Sequence, residues 1–323
     1  MDIEFLREKA DIFKKIRQFF DERGYLETVT PVLSPNLIPE TCLEVFETAY
    51  IPPKGSRIRE KQSFYLVPSP EIWMKKFISA HKIDIYQLCP CFRNVESTGR
   101  LHSPEFTMLE FYTMGADYED SIAITEDLFV FLLDGTTRKS LCPPFEQISI
   151  DEAFSHFAGF SLYAAAEKNM LESEARGLGL DPPKGIDAAT LFDLIFIHAV
   201  EPNLPRDKPV VLKDYPSFVP CLARKRPDGK SVERWELYVR GIELANCYSE
   251  ETDPTNIRAY FEHEAAAKRK SSLVPHEIDE NFWQIFNDFP RCSGVAMGVD
   301  RLIMSLTGKT SIDSVLPFPI GRQ

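Results

Sequence analysis

No stretch of this sequence approaches the roughly 18 consecutive apolar residues that a membrane-spanning helix needs. Its N-terminus, MDIEFLREKADIFKKIRQFF, lacks the uninterrupted apolar segment of a secretory signal. Positive charge is scarce: 37 lysines and arginines against 49 acidic residues leave a formal charge of −12, with a pI near 5.1. Binding carried by a nucleic-acid backbone usually shows as a basic surface. The acidic balance lowers that expectation, although it leaves room for a local basic patch. Cysteine is sparse and odd in number, with seven in 323 residues. Cys89-x-Cys91 has no second pair to complete a zinc site, so reduced thiols in a cytoplasmic protein are the plainer reading. The chain also contains no Gly-x-Gly-x-x-Gly, no Walker phosphate loop, no internal repeat and no low-complexity linker.

What is present is ample apolar content, 44% of residues, enough for a large core. The length fits two domains, or one catalytic domain with an insertion. Residues 3–22 place Phe5, Leu6, Ile12, Phe13, Ile16, Phe19 and Phe20 on one helical stripe that Gly24 is placed to end. YLETVTPVL follows as a short extended segment. YLVPSPEIWMKKFIS then predicts a strand and a turn into a helix, with Ser69 as N-cap, Pro70 in the first helical position and Glu71 in the first turn. YQLCPCFR (86–93) and PEFTMLEFYTM (104–114) predict two strands around the polar loop NVESTGRLHS. Residues 117–213 alternate helical segments with loops, and WELYVRGIELANCYSE reads as a long strand region after the Pro-Asp-Gly turn of 226–230. CSGVAMGVD is small and extended, with a helix after it. The pattern is α+β with an antiparallel sheet, because the regular βαβ alternation of a doubly wound fold is missing.

Three stretches hold candidate chemistry. In FRNVESTGRLHSPEF, Arg93 ends one strand and Phe106 begins the next. An arginine there can hold a phosphate with a bidentate fork, and an aromatic face can cover a nucleobase. In SGVAMGVDRL, Gly294 and Gly298 let a ligand approach the backbone, and Arg301 sits near a helix N-terminus. In GIELANCYSEE, Glu243 suits magnesium, Glu250 suits an ammonium group, and Glu251 reads as a solvated strand-end charge. Taken singly, each has a bland alternative. Arg93 is then an ordinary strand-end charge, Phe106 and Tyr112 core aromatics, Gly-x-x-x-Gly tight packing, and Glu71 a helix-dipole carboxylate.

Together the stretches stand in the order of a known constellation. GYLETVTP, FR…PEF and GVAMGVDR resemble motifs 1, 2 and 3 of the class II aminoacyl-tRNA synthetases, and SPE (69–71), PEFTMLEFY and GIELANCYSE resemble the lysyl branch, from about residue 5 to 305. Lysyl-tRNA synthetases carry an N-terminal OB-fold domain that grips the anticodon, for which the helix starting at Ile3 leaves no room, and a glycine where this chain has Ala296. In both respects the sequence is similar to the free-standing elongation factor P–lysine ligase family. The Ala296 methyl would narrow the pocket near the substrate amino group, and moving that group to the β carbon would relieve the crowding.

The resemblance implies an α+β class II catalytic domain, an antiparallel sheet flanked by helices, spanning 1–323 as one domain with 117–213 as a helical insertion or subdomain. It implies ATP and Mg2+, activation of (R)-β-lysine, transfer to a lysine amine of elongation factor P, and a cytoplasmic homodimer without anticodon contact. Carried over residue by residue, Ser69, Pro70, Glu71, Tyr112, Glu250 and Ala296 match substrate contacts. Arg93 and Arg301 match the catalytic phosphate-binding arginines, and Phe106 and Arg301 the pair around adenine. Asn94, Glu96, Ser103, Glu243, Leu244 and Gly298 match further ATP contacts, with Glu243 also toward magnesium. Two departures stand out: the family's Arg-Asn-Glu is here Arg93-Asn94-Val95 with Glu96 one place later, and Ser103 stands where asparagine is usual. The alternatives are a ligase for α-lysine, a minimal tRNA-charging enzyme, and an inactive paralogue with a regulatory role. Retention of both Arg93 and Arg301 counts against the last.

Overall fold

The computed structural model describes residues 2–55, 57, 60–95, 99–134 and 139–320, and the chain divides into two units, one of 1–114, 252–290 and 296–323 and one of 115–251 and 291–295. The first unit opens on α1 (Ile3–Asp21), whose N-cap Asp2 accepts a hydrogen bond from the Glu4 amide. Five residues of the expected stripe, Phe5, Ile12, Ile16, Phe19 and Phe20, are buried. Phe20 stacks on Tyr86 at 4.8 Å and meets Tyr25 and Phe111 at 5.2 and 5.0 Å. Burying side chains of this size contributes about 1.5–3 kcal/mol each.

Short strands β1 (Leu26–Glu27) and β2 (Leu33–Ser34) follow, then β3 (Phe46–Tyr50) and β4 (Gln62–Leu66). α2 (Glu71–His81) starts one residue later than the cap reading, with Pro70 at the N-cap and Ser69 Oγ accepting the Glu71 amide at 3.4 Å. β5 (Ile85–Phe92) and β6 (Glu105–Met114) come next. They are antiparallel, in a register from Ile85↔Tyr112 to Phe92↔Glu105, while β1 runs parallel to β5. β2, β4 and β3 form a separate antiparallel group.

The second unit begins with α3 (Tyr118–Leu133), closed by a capping box at Asp117. β7 (Glu146–Ser149), α4 (Ile150–Ala153), α5 (Leu162–Glu167), α6 (Leu171–Gly177), α7 (Ala188–Ile195) and β8 (Val210–Pro216) follow, so the stretch 117–213 holds two strands besides its helices. One π-turn (154–158) continues α4 and another (196–200) continues α7. The core here gathers Ile150, Phe154, Phe192, Ile195 and Leu212, with Phe154 stacked on Phe192 at 5.4 Å.

The region expected as one long strand is a hairpin instead, β9 (Ser231–Val239) and β10 (Ile242–Ser249). The two-residue connection is Arg240-Gly241, with φ of 56° and 72°. Positive φ at both positions is what a tight primed turn requires, and a non-glycine residue at Arg240 hides the signal from the sequence. β8 pairs antiparallel with β9, and β7 parallel with β8. The strand pairing is therefore chiefly antiparallel, with parallel pairs at β1–β5 and β7–β8.

The chain returns to the first unit through α8 (Pro254–Ser271). β11 (Cys292–Gly298) leads directly into α9 (Val299–Thr307), whose N-cap is Gly298. The expected extended segment and the helix after it are both present. Among the described residues, no helix is long and apolar enough to cross a membrane.

Candidate active site

In the first unit, the β5–β6 register sets Cys91 opposite Phe106. Paired residues project to one face, and so do residues two apart on a strand. Arg93, just past β5, therefore lies on the Phe106 side. Its amide donates to Pro104 O at 2.9 Å, and its guanidinium stands 5.2 Å from the Phe106 ring centroid. Arg301, on the first turn of α9, donates from Nε to Leu101 O at 3.2 Å, which ties it to the segment leading into β6. Ala296 and Phe106 pack together on the buried cluster of Cys89, Cys91 and Met108. Arg93, Phe106, Ala296 and Arg301 are thus assembled at one end of the β5–β6 pair. Ser103 is buried nearby in sequence, at 8% exposure.

Asn94 is committed to loop structure. Its amide donates to Glu44 O at 2.9 Å, its Nδ2 to Val45 O at 3.3 Å, and its Oδ1 accepts the Val95 amide at 2.9 Å. Glu96 lies outside the described residues. Cys89 and Cys91 stand 3.8 Å apart at sulfur, and all seven cysteines are free thiols.

Glu71 begins α2 and pairs through Oε1 with Lys75 Nζ one turn on. Lys75 is fully buried, so the ion pair fixes the Glu71 carboxylate from below. Tyr112 donates its hydroxyl to buried Glu110 at 3.4 Å. The sequence reading missed a further carboxylate in the same unit, Glu40. Burial first, and then the charge of Glu71, push its carboxyl up to about 7, against the pull of Arg93 and Lys268. Helix α8 clamps the loop that carries it. Lys268 Nζ donates to Glu40 O at 2.8 Å and also to Leu43 O, while Glu264 Oε2 accepts both the amide and the hydroxyl of Thr41 at 2.9 Å. Glu264 and Lys268 are 5% and 3% exposed. Nothing in the local pattern of EHEAAAKRK sets these two residues apart from their charged neighbours; burial alone distinguishes them.

In the second unit the β9–β10 register shifts between Glu243 and Ala245. Glu243 pairs with Tyr238, Asn246 with Glu236 and Tyr248 with Arg234, whereas Ala245 and Cys247 pair with Leu237 and Trp235. An extra residue in one strand turns the following side chains over. Strict alternation places Glu243 and Glu250, an odd number of residues apart, on opposite faces; the bulge brings them to the same one. It also explains why Leu244 and Ala245 are both buried, each at 2% exposure. Glu250 is 3% exposed and its amide donates to Cys292 O at 3.0 Å.

The face shared with Glu243 carries a cation absent from the sequence reading. Arg234 lies 4.4 Å over the Tyr215 ring and 5.6 Å from that of Tyr248, and bonds Glu236 Oε1 at 2.5 Å. Glu236 Oε2 accepts from Tyr215 and Tyr238 at 2.6 and 2.7 Å. Burial, followed by the Glu236 charge, pushes both phenols well above their ordinary range. They remain protonated donors at any physiological pH.

A strand–loop–strand that brackets its loop with Arg93 and Phe106, followed by a Gly298-capped helix carrying Arg301, defines a class II synthetase-type catalytic fold. The family model of tRNA synthetases class II (D, K and N) matches residues 3–322. The chain is 38% identical over 320 residues to an elongation factor P–(R)-β-lysine ligase of Avibacterium paragallinarum, covering 98% of this chain and 96% of that protein. It is 36% identical to the ligases of the same name from Pasteurella multocida (strain Pm70) and Proteus mirabilis (strain HI4320), covering 98% of this chain and 95% of each relative. The chain belongs to the class II tRNA synthetase family and, within it, to the elongation factor P–(R)-β-lysine ligases.

Glu40 gives a pH prediction. A carboxyl raised from 4.5 to about 7 holds its proton more tightly when folded than when unfolded. Its contribution to stability is complete below the unfolded value and is lost as pH rises through about 7. Glu40→Gln stays neutral, so its melting temperature should gain on the wild type between pH 5 and pH 7.5 and level off above. A pH-independent difference in thermal melts, with ligand absent, would show that Glu40 does not titrate in this range.

Proposed function

We propose that this protein activates (R)-β-lysine with ATP and transfers the β-lysyl group to a lysine side chain of elongation factor P. The observation that carries the reading is the gathering of Arg93, Phe106 and Arg301 at one end of β5–β6. It sets two cations and an aromatic face where a nucleotide triphosphate would lie. The amino acid and the acceptor come from the names of the relatives.

In the first step a substrate carboxylate oxygen bonds to the α-phosphorus of ATP, and the bond from that phosphorus to pyrophosphate breaks. Arg93 would hold the α-phosphate and Arg301 the γ-phosphate, with adenine between Phe106 and Arg301. Catalysis is then positioning and charge stabilisation, with no covalent enzyme intermediate. Ser103, Gly298 and Leu244 would add ATP contacts. In the second step the neutral acceptor amine bonds to the carbonyl carbon, AMP leaves as the C–O bond breaks, and the amine loses a proton. Ser69, Pro70, Tyr112 and Ala296 would shape the amino-acid pocket, and Glu71 and Glu250 would face its ammonium groups.

Among the described residues no group of three or more His, Cys, Asp or Glu side chains is placed to hold a metal. Magnesium is commonly held by one or two carboxylates together with substrate phosphates, and Glu243, a half-buried carboxylate on β10, fits that chemistry. Bound there, magnesium supplies charge neutralisation on the phosphates.

Free thiols at all seven cysteines support a reducing, cytoplasmic location. Leu26, Val29 and Leu33, at 47, 94 and 47% exposure, leave apolar surface in the segment that resembles motif 1. This supports a two-fold homodimer. Light scattering should give about twice 37.0 kDa; a monomer mass at micromolar protein would count against it.

ATP–pyrophosphate exchange with α-lysine and both β-lysine enantiomers tests the assignment. (R)-β-lysine should support the fastest exchange, and a preference for α-lysine would sink it. Arg301→Ala should lower exchange on the order of a hundredfold or more, equivalent to ~3 kcal/mol of transition-state stabilisation. Near-normal exchange would remove Arg301 from the reaction.

The α-lysine reading differs at one methyl group. Ala296→Gly should shift the kcat/KM ratio toward α-lysine by about ten- to two-hundredfold. The ratio is the measure, because glycine also loosens the strand and lowers both rates. An unchanged ratio would leave the methyl without a role in discrimination.

A further inference from the structure

Lys9 is far along the chain from the three stretches that hold candidate chemistry, yet it sits at a junction. From α1 its Nζ donates to Asp300 Oδ1 at 2.9 Å and to Val315 O at 2.9 Å. Asp300 is 1% exposed, and the Lys9 side chain is 14% exposed. The other carboxylate oxygen, Oδ2, accepts the backbone amide of Thr107 at 2.7 Å.

The neighbours of these atoms give the network its meaning. Thr107 follows Phe106 and Asp300 precedes Arg301, so one buried carboxylate ties together the chain neighbours of the two residues assigned to opposite faces of adenine. In the β5–β6 register Thr107 stands opposite Pro90, and its amide points away from β5 toward Asp300. Pro90 therefore costs the ladder no donor, and the amide is not left orphaned at the strand. Asp300 also lies in the first turn of α9, where the helix dipole favours a negative charge. The Val315 contact extends the junction, because three residues earlier the Ile312 amide donates to Arg100 O at 2.8 Å in the segment before β6. Arg301 Nε reaches Leu101 O in the same segment.

We infer that the Lys9–Asp300 couple is a positioning device for the nucleotide site, setting the separation of Phe106 and Arg301 and anchoring the stretch from Arg100 to Phe106. Neither side chain is assigned to ligand. Both act through the backbone of residues that are. The inference rests on the proposed ATP site and adds to it a control exerted from α1. Misplacing a positioned group by about 1 Å from a remote site is enough to cost on the order of a hundredfold. Loss of an ion pair that only stabilises the fold, by contrast, lowers the melting temperature without weakening one ligand more than the other.

The test is calorimetric binding of ATP with magnesium and, separately, of (R)-β-lysine, alongside thermal melts. Lys9→Met keeps the packing of the side chain and removes its charge, and Lys9→Arg retains the charge and the donors. ATP should bind about tenfold or more weakly to Lys9→Met, β-lysine within about twofold of wild type, and Lys9→Arg should recover most of the ATP affinity. Equal weakening of both ligands, or unchanged ATP affinity in a folded variant, overturns the inference. If Lys9→Met fails to fold, Lys9→Met/Asp300→Asn leaves no unpaired buried charge and carries the same comparison. Wild-type protein that binds ATP but not β-lysine would refute the proposed substrate while still testing the couple. Wild-type protein that binds no ATP overturns both.

Discussion

Asp300, at 1% exposure, is bonded by Lys9 and the Thr107 amide in place of the water it has lost. The desolvation cost of a buried carboxylate is several kcal/mol, and removing one partner exposes that cost in full. The arrangement therefore tolerates little drift. The same constraint recurs at Glu71 with Lys75, at Glu264 with Thr41, and at Glu236 with Arg234 and two tyrosines. Each buried charge holds a candidate ligand-facing residue, or the loop next to one, in a narrow range of positions. Preorganisation of this kind is what adenylate chemistry needs, since the protein contributes mainly by placing charges and reactants.

Glu40 is the exception that the same rule makes informative. Its carboxyl shares its surroundings with Glu71, Arg93, Glu264 and Lys268, and burial outweighs the two cations. A carboxyl in this condition gains from any further positive charge brought beside it. In the second unit the cation is already in place: Arg234, over Tyr215, stands on the face to which the β10 bulge delivers Glu243. The two units thus use opposite solutions to carboxylate burial, one with its charge partly unanswered and one with it locked in a bonded network.

Much of the scaffold was legible from local pattern. The stripe of α1, strands β5 and β6, helix α2 and the β11–α9 junction fall within a residue or two of expectation, because each has a clear period, cap or breaker. The clustering of Arg93, Phe106 and Arg301 follows the order in which the motifs occur. The hairpin of β9 and β10 was hidden, since Arg240 takes a conformation that sequence assigns to glycine or asparagine. Asn94 could be named from a motif, but its side chain bonds the backbone of its own loop and of Val45.

By itself the sequence determined the α+β class, the elements that carry the motifs, and membership in the class II family, because these depend on residue types at fixed spacings along one chain. Tertiary structure alone decided which charges are buried and what answers them. Lys9 finds Asp300 across 291 positions, and Lys268 finds the Glu40 carbonyl across 228. No local period encodes such pairings. It also decided that Glu243 and Glu250 share a face, since one bulged residue reverses the alternation that a strand sequence implies. Periodicity reports a side chain's direction only while the backbone stays regular, and at this hairpin the backbone departs from regularity at the residue where candidate ligand groups begin.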